Sequence, residues 1–140
     1  MTIGAGALID RDLVEVGVKL TLPDGTAASL PFRVTAPASY LASKADALIG
    51  RDKNKDAYDI VWLCEAWPGG QDSLAKVVRG SPVFDDELMT RAIHLLGSHF
   101  DGIDSVGSRA YARFMEPRGG DLDRSARRAS GAVKALLRWL

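Results

Sequence analysis

The chain has 140 residues, 46% hydrophobic and 26% charged, the proportions of an ordinary globular protein of one-domain length. Eighteen basic residues balance eighteen acidic ones, which excludes binding to nucleic acid or membrane through overall charge and leaves only a local patch for such a partner. Cys64 is the sole cysteine, so an internal disulfide and a thiolate zinc cluster are excluded.

The N-terminal stretch MTIGAGALIDRD lacks a basic n-region and carries Asp10 and Asp12, which makes a poor signal peptide. Residues 13–20 alternate with period two, so that Val14, Val16, Val18 and Leu20 share one face of a strand. Glu15 is the one acid inside it. Pro23-Asp24-Gly25-Thr26 has turn chemistry: proline presets φ and glycine accepts a positive one. A second strand follows over 29–34, and Pro31, which cannot donate to a ladder, marks it as an edge or a bulge. The expected hairpin either packs on the rest of the chain or belongs to a larger sheet, because a lone hairpin is marginal.

Everything after Pro37 predicts helix. Residues 38–49 place Leu41, Ala45, Leu48 and Ile49 on one face, with Gly50 as a stop. Asn54 is the expected N-cap of a helix over 55–67, closed by Pro68-Gly69-Gly70. Within it Cys64, between Trp62 and Trp67, reads as a buried, inert thiol. A short helix is expected over 72–79, and Ser81-Pro82 opens the next, with Leu88, Met89, Ala92, Ile93, Leu95 and Leu96 on its apolar face. Two more are expected over 104–115 and 121–140, the last with Ala126, Ala129, Val133, Leu136, Leu137 and Leu140 in a stripe. The fold class is α+β: one domain over 1–140, with a hairpin part over 1–36 and about five helices over 37–140. No apolar run approaches the roughly twenty residues of a membrane span, and a cytoplasmic location is expected.

The segment KADALIGRDKNKDAYDIVW, residues 44–62, is dense in charge and then turns apolar. Lys44 borders the packed face of its helix, and Asp56 and Asp59 lie near one another at the start of the following helix. The expected picture is a polar cluster of Lys44, Arg51, Asp56 and Asp59 at a helix-turn-helix corner, partly desolvated by Leu48, Tyr58 and Trp62. On residue chemistry alone, Asp56 suits the helix dipole and Asp59 suits a structural ion pair with Lys44 or Arg51.

The order of these residues resembles the C-terminal motif of the AbiEii/AbiGii-type abortive-infection nucleotidyltransferases, of the polymerase-β-like superfamily. That motif reads K-x-x-A-L-x-x-R-x-x-x-(R/K)-D-x-Y-D followed by a hydrophobic residue. Lys44, Ala47, Leu48, Arg51, Lys55, Asp56, Tyr58, Asp59 and Ile60 stand in those places, and the order of elements extends the likeness over residues 10–67. The resemblance implies nucleotidyl transfer from a nucleoside triphosphate with Mg²⁺, in a toxin or phage-defence setting. It places Lys44 and Asp56 on the nucleotide side of a cleft, with Arg51, Lys55, Tyr58 and Asp59 in support. The family's Gly-Ser turn and Asp-x-Asp strand are not found before the hairpin.

Gly97-Ser98-His99-Phe100-Asp101-Gly102-Ile103-Asp104 has similar letters, but its D-x-x-D spacing does not share a strand face, so it reads as a helix end and loop. Glu15 is the candidate third carboxylate. Mg²⁺ and a nucleotide are therefore expected only where a partner or an upstream segment completes the site. The alternative is a non-catalytic interaction module derived from the fold.

His94 and His99 are five apart, the wrong helical spacing for a zinc pair, and no metal site is expected. Arg124, Arg127, Arg128, Lys134 and Arg138 lie opposite the apolar stripe of the last helix, as a solvated face or as a patch for RNA phosphates such as those of tRNA. The hairpin, if an orphaned sheet edge, is expected to form a homodimer or to take a strand from a partner chain.

Overall fold

The computed structural model describes residues 4–50 and 54–140. A 3-10 helix, Ala5–Arg11, leads into β1 (Leu13–Thr21) and β2 (Ala27–Thr35), followed by α1 (Pro37–Gly50) and α2 (Asn54–Ala66). Then come α3 (Gly70–Arg79), α4 (Glu87–His99), α5 (Val106–Met115), a 3-10 turn at Glu116–Arg118 and α6 (Leu122–Leu137). The architecture is α+β, an antiparallel hairpin followed by helices, as its periodicities predict.

The hairpin closes through Leu22–Thr26. Gly25 takes φ 84°, the Gly25 N–H donates to the Leu22 carbonyl, and Asp24 accepts from the Thr26 N–H. Register runs unbroken from Leu13↔Thr35 to Thr21↔Ala27, so Pro31 sits opposite Gly17 without a bulge. At one end the Leu22 N–H donates to Thr26, and at the other the Ala36 N–H donates to Asp12. The even-numbered residues of β1 therefore form the hydrogen-bonded pairs, and the odd-numbered ones turn their N–H and C=O outward. Pro31 falls in an outward-facing pair, which explains how the ladder tolerates it.

The hairpin does not pack down on the helices. Val14, Val16, Val18, Leu20, Leu30, Phe32 and Val34 form one apolar face and remain 36–48% exposed. The helices instead build the core among themselves, around Leu8, Leu41, Ile60, Leu74, Met89, Leu96, Phe100 and Leu136. Within it α1 packs on α4 and on the N-terminal 3-10 helix, and α2 on α5 and α6. On α6 the expected stripe holds: Ala126, Ala129, Val133 and Leu136 are fully buried. On α1 the last turn directs Leu48 inward and leaves Ile49 56% exposed, against expectation.

Asp12 ties the hairpin to the bundle. It is buried, accepts from the Ser39 N–H at 3.0 Å and from the Ser81 hydroxyl at 2.9 Å, and so caps the start of α1 from a distant part of the chain.

The helix expected to open at Ser81-Pro82 begins instead at Glu87. Asp86 is its N-cap, accepting from the Leu88 N–H at 3.0 Å, and its other oxygen meets Arg11 at 2.6 Å. Residues 81–86 are a turn, because the Ser81 side chain is engaged with Asp12 and with the Val83 N–H. Asp86→Ala removes both the cap and the tie, and a drop of about 3 °C in Tm is expected in a thermal melt, with Asp86→Asn recovering part of it.

The Gly97–Asp104 string is the end of α4 and a turn, as its spacing predicts. Asp101 faces Lys134 and Asp104 pairs with Arg109. His99 is half-buried there, its Nε2 has no hydrogen-bond partner among the described residues, and burial lowers its pKa below the ordinary histidine value. A base with a depressed folded pKa destabilises the fold as pH falls through its unfolded value of about 6.5. Denaturant midpoints should thus fall between pH 7.5 and 5.5, and His99→Leu should flatten that slope.

Candidate functional site

The site forms where α1 and α2 meet. Lys44 projects from the middle of α1, half-buried, and its ammonium lies 2.8 Å from Asp56 Oδ1 and 2.7 Å from Asp59 Oδ2. Asp56 and Asp59 share one face of the first turns of α2, a helix start that favours carboxylates, and both are buried. Lys55, exposed and one turn before Asp59, donates to both Asp59 oxygens at 2.8 Å. The Tyr40 ring, one turn before Lys44, lies 5.7 Å from the ammonium.

The charges are mutually reinforcing. Burial works against the Lys44 ammonium, but hydrogen bonds and charge from Asp56 and Asp59 prevail and raise its pKa above the ordinary lysine value. Burial likewise disfavours the Asp59 carboxylate, yet Lys44 and Lys55 hold its pKa below the ordinary one. At neutral pH Lys44 and Asp59 are therefore both ionised. The second oxygen of Asp56 is buried without a hydrogen-bond partner among the described residues.

A cleft of about 440 Å³ opens beside this cluster, lined by Ser43, Lys44, Asp46, Ala47 and Asp56 on one side and by Gly4, Ala5, Gly6 and Ile9 on the other. The N-terminal 3-10 helix makes the second wall and is held by the Ala5 N–H, which donates to Asp46 Oδ2 at 2.6 Å. Arg91 of α4 stands 3.7 Å from the other Asp46 oxygen. Sequence reasoning missed Tyr40, Ser43, Asp46 and this wall. Tyr40 was legible as the residue one turn before Lys44, whereas Gly4–Gly6 carried no signal.

The other expected site residues fall elsewhere. Arg51 lies outside the described residues. Tyr58 turns away toward α5, with its ring 6.3 Å from that of Tyr111 and 4.6 Å from that of Phe114. Trp62 does not cover the cluster as expected. It is 54% exposed and lines a separate apolar groove with Val14, Val16, Val34, Tyr40 and Trp67, because the buried face of α2 runs through Asp56, Ile60 and Cys64. Glu15 is exposed on the polar face of the hairpin, opposite Arg33. Cys64 is buried and its pKa is pushed up to about 12, as an inert core thiol should be. Of the α6 cations, Arg128 grips both oxygens of Glu65 at 2.6 and 2.7 Å and Lys134 meets Asp101, while Arg124, Arg127 and Arg138 are exposed and without ion pairs among the described residues.

A family model described as nucleotidyl transferase AbiEii toxin, type IV TA system, matches residues 1–132. The chain belongs to the AbiEii family. No curated protein and no solved structure matches it. The AbiEii assignment makes a nucleotidyltransferase-like toxin role the chain's setting, with an antitoxin implied as its counterpart. Transferases of this kind take a nucleoside triphosphate with Mg²⁺, and the residues here do not fit the metal by themselves. A divalent cation needs carboxylate oxygens facing an open position, whereas Asp56 and Asp59 converge on the Lys44 ammonium. No group of three or more metal-ligating side chains comes together among the described residues. No helix among the described residues is long and apolar enough to cross a membrane.

Proposed function

We infer that this AbiEii chain forms one wall of a nucleotide site, and that the metal-binding carboxylates come from a partner or an upstream segment facing the Lys44 cleft. The observation that carries this reading is the cleft itself. Its about 440 Å³ borders Lys44 and Asp56 and is backed by the glycine-flanked backbone of Gly4–Gly6, where a flat group can approach closely. Lys44, kept charged by its partners, serves a phosphate as a point charge when one carboxylate lets go of it. Asp56 and Asp59 position that ammonium. The acceptor in this reading is an RNA such as tRNA, met by Arg124, Arg127 and Arg138, and the reaction runs in the cytoplasm on its nucleotide pool.

Titration of the four ribonucleoside triphosphates with Mg²⁺, followed by calorimetry, tests the wall. Gly6→Trp is the probe, because Gly6 lines the cleft, nothing lies within 4 Å of a Cβ there, and the change introduces an indole at the opening while leaving Lys44, Asp56 and Asp59 unsubstituted. Binding that disappears in Gly6→Trp supports the reading, and binding indifferent to it removes the cleft from consideration. With labelled triphosphate, Mg²⁺ and tRNA, the chain alone should transfer nothing. Transfer by the isolated chain would overturn the need for a partner.

The second reading, a non-catalytic module of the same fold, is favoured by the full engagement of Lys44 between two acids. It predicts no nucleotide binding under any of these conditions.

A further inference from the structure

The hairpin presents two sheet edges, and they are not equivalent. On the outer edge of β2, Pro31 stands at the centre of the outward-facing residues Ala27, Ser29, Pro31, Arg33 and Thr35 and breaks the row of donors. On the outer edge of β1, Leu13, Glu15, Gly17, Lys19 and Thr21 offer an unbroken row of N–H and C=O groups. All nine residues of β1 are exposed, and no further strand pairs with it among the described residues.

We propose that β1 pairs with β1 of a second copy, antiparallel about a two-fold axis at Gly17, giving a four-stranded β2-β1-β1-β2 sheet. Charge favours this register, since centring the axis on Val16 or Val18 leaves Glu15 and Lys19 without opposite charges across it. Only outward-facing residues can form the new hydrogen-bonded pairs, so odd positions oppose odd positions. Centring the axis on Glu15 or on Lys19 sets like charges against each other. Centring it on Gly17 sets Glu15 of each copy against Lys19 of the other, twice, and overlaps the strands along their whole length from Leu13 to Thr21. At the axis itself the strand has no side chain to collide with its own copy.

The pairing is isologous, as a two-fold interface must be. It also puts both apolar faces on the same side of one sheet, where each runs into its own groove beside Tyr40, Trp62 and Trp67. A nine-residue strand is about 30 Å long, and edge pairing alone buries less than a standard interface. The dimer is therefore weak, forming at about 100 μM rather than about 1 μM, and salt weakens it further.

The proposal stands apart from the nucleotide reading, since the hairpin edge and the Lys44 cleft are tested by different measurements on different surfaces. Sedimentation equilibrium on the full chain should show a reversible dimer. Glu15→Lys and Lys19→Glu should each weaken it about tenfold or more, because each places like charges in both pairs. The double reversal, Glu15→Lys with Lys19→Glu, should restore it, and an equimolar mixture of the two single variants should form a heterodimer. Gly17→Cys should crosslink across the axis on mild oxidation, since hydrogen-bonded pairs bring Cα atoms to about 5.5 Å, within disulfide reach. The added Cβ has room, with Ser29 Oγ at 3.7 Å, and the buried Cys64 stays out of the reaction. Circular dichroism checks that each variant folds. A chain that stays monomeric to about 1 mM overturns the proposal, as does a dimer indifferent to both charge reversals and uncrosslinked through Gly17→Cys. A monomer that takes up a strand peptide of different sequence on β1 overturns it too, by identifying a different occupant.

Discussion

Lys44→Met should destabilise the fold by about 3 kcal/mol at pH 7.5, measured by denaturant unfolding, because it strands Asp56 and Asp59 as two buried carboxylates without their shared cation. The pH dependence gives the cause away. In the wild type, the lowered Asp59 pKa contributes stability above the ordinary carboxylate value of about 4, lost as pH falls through the depressed one. The raised Lys44 pKa contributes below the ordinary lysine value of about 10.4, lost as pH rises through the elevated one. The Lys44–Asp59 contribution therefore spans the whole neutral range. In the variant the sign reverses: facing carboxylates prefer to be protonated, so the deficit against wild type should shrink as pH falls from 7.5 toward 4.5. A deficit under about 0.5 kcal/mol, flat with pH, would reduce the cluster to an ordinary surface pair. Lys55→Met, which removes the exposed partner of Asp59, should cost far less.

Phe100→Ala is the second large expectation, a loss of about 3–5 kcal/mol in the same experiment. Phe100 heads the fully buried side chains, just past the end of α4, and its carbonyl accepts from the Ser130 hydroxyl at 2.7 Å. Its ring also dictates a neighbour. A Cβ on Gly107 would come within 2.7 Å of the ring and 2.8 Å of the His99 carbonyl, so α5 can begin there only with glycine. Gly107→Ala should thus be destabilising through overpacking, by about 2 kcal/mol. The two changes share a contact and should not be additive: truncating the ring removes one of the two clashes, leaving only the carbonyl. Additive losses would mean that ring and glycine do not meet.

These contrasts show what local sequence pattern carries. The hairpin, five of the helix positions and the α6 stripe follow from periods of two and 3.6 and from punctuation at Gly25, Pro68 and Pro117. The Lys44–Asp56–Asp59 cluster was legible too, since its members lie within sixteen residues and share helix faces. Long-range closures were not. Asp12 caps α1 and captures Ser81 across gaps of 27 and 69 residues, and no spacing rule announces such a partner. The true start of α4 was misplaced for that reason: Ser81-Pro82 has the chemistry of a helix start, and tertiary capture of Ser81 overrode it. The second cleft wall was hidden in MTIGAGALIDRD, whose small residues have no amphipathic pattern and acquire a role only when the Ala5 N–H finds Asp46. Trp62 shows the converse failure, because helical spacing places a side chain near a cluster without saying which flank it takes.

The position of Gly4 has a practical consequence. The chain enters the described structure on the rim of the Lys44 cleft, within a wall held by the Ala5 N–H on Asp46. An affinity tag fused ahead of residue 1 is joined to that wall through only three further residues, and a polyhistidine stretch there can carry imidazoles and adventitious nickel or zinc to the cleft proposed for the nucleotide. Purification through a tag placed after Leu140, or removal of an N-terminal one before any titration, keeps a null result in the nucleotide experiment from being an artefact of the handle.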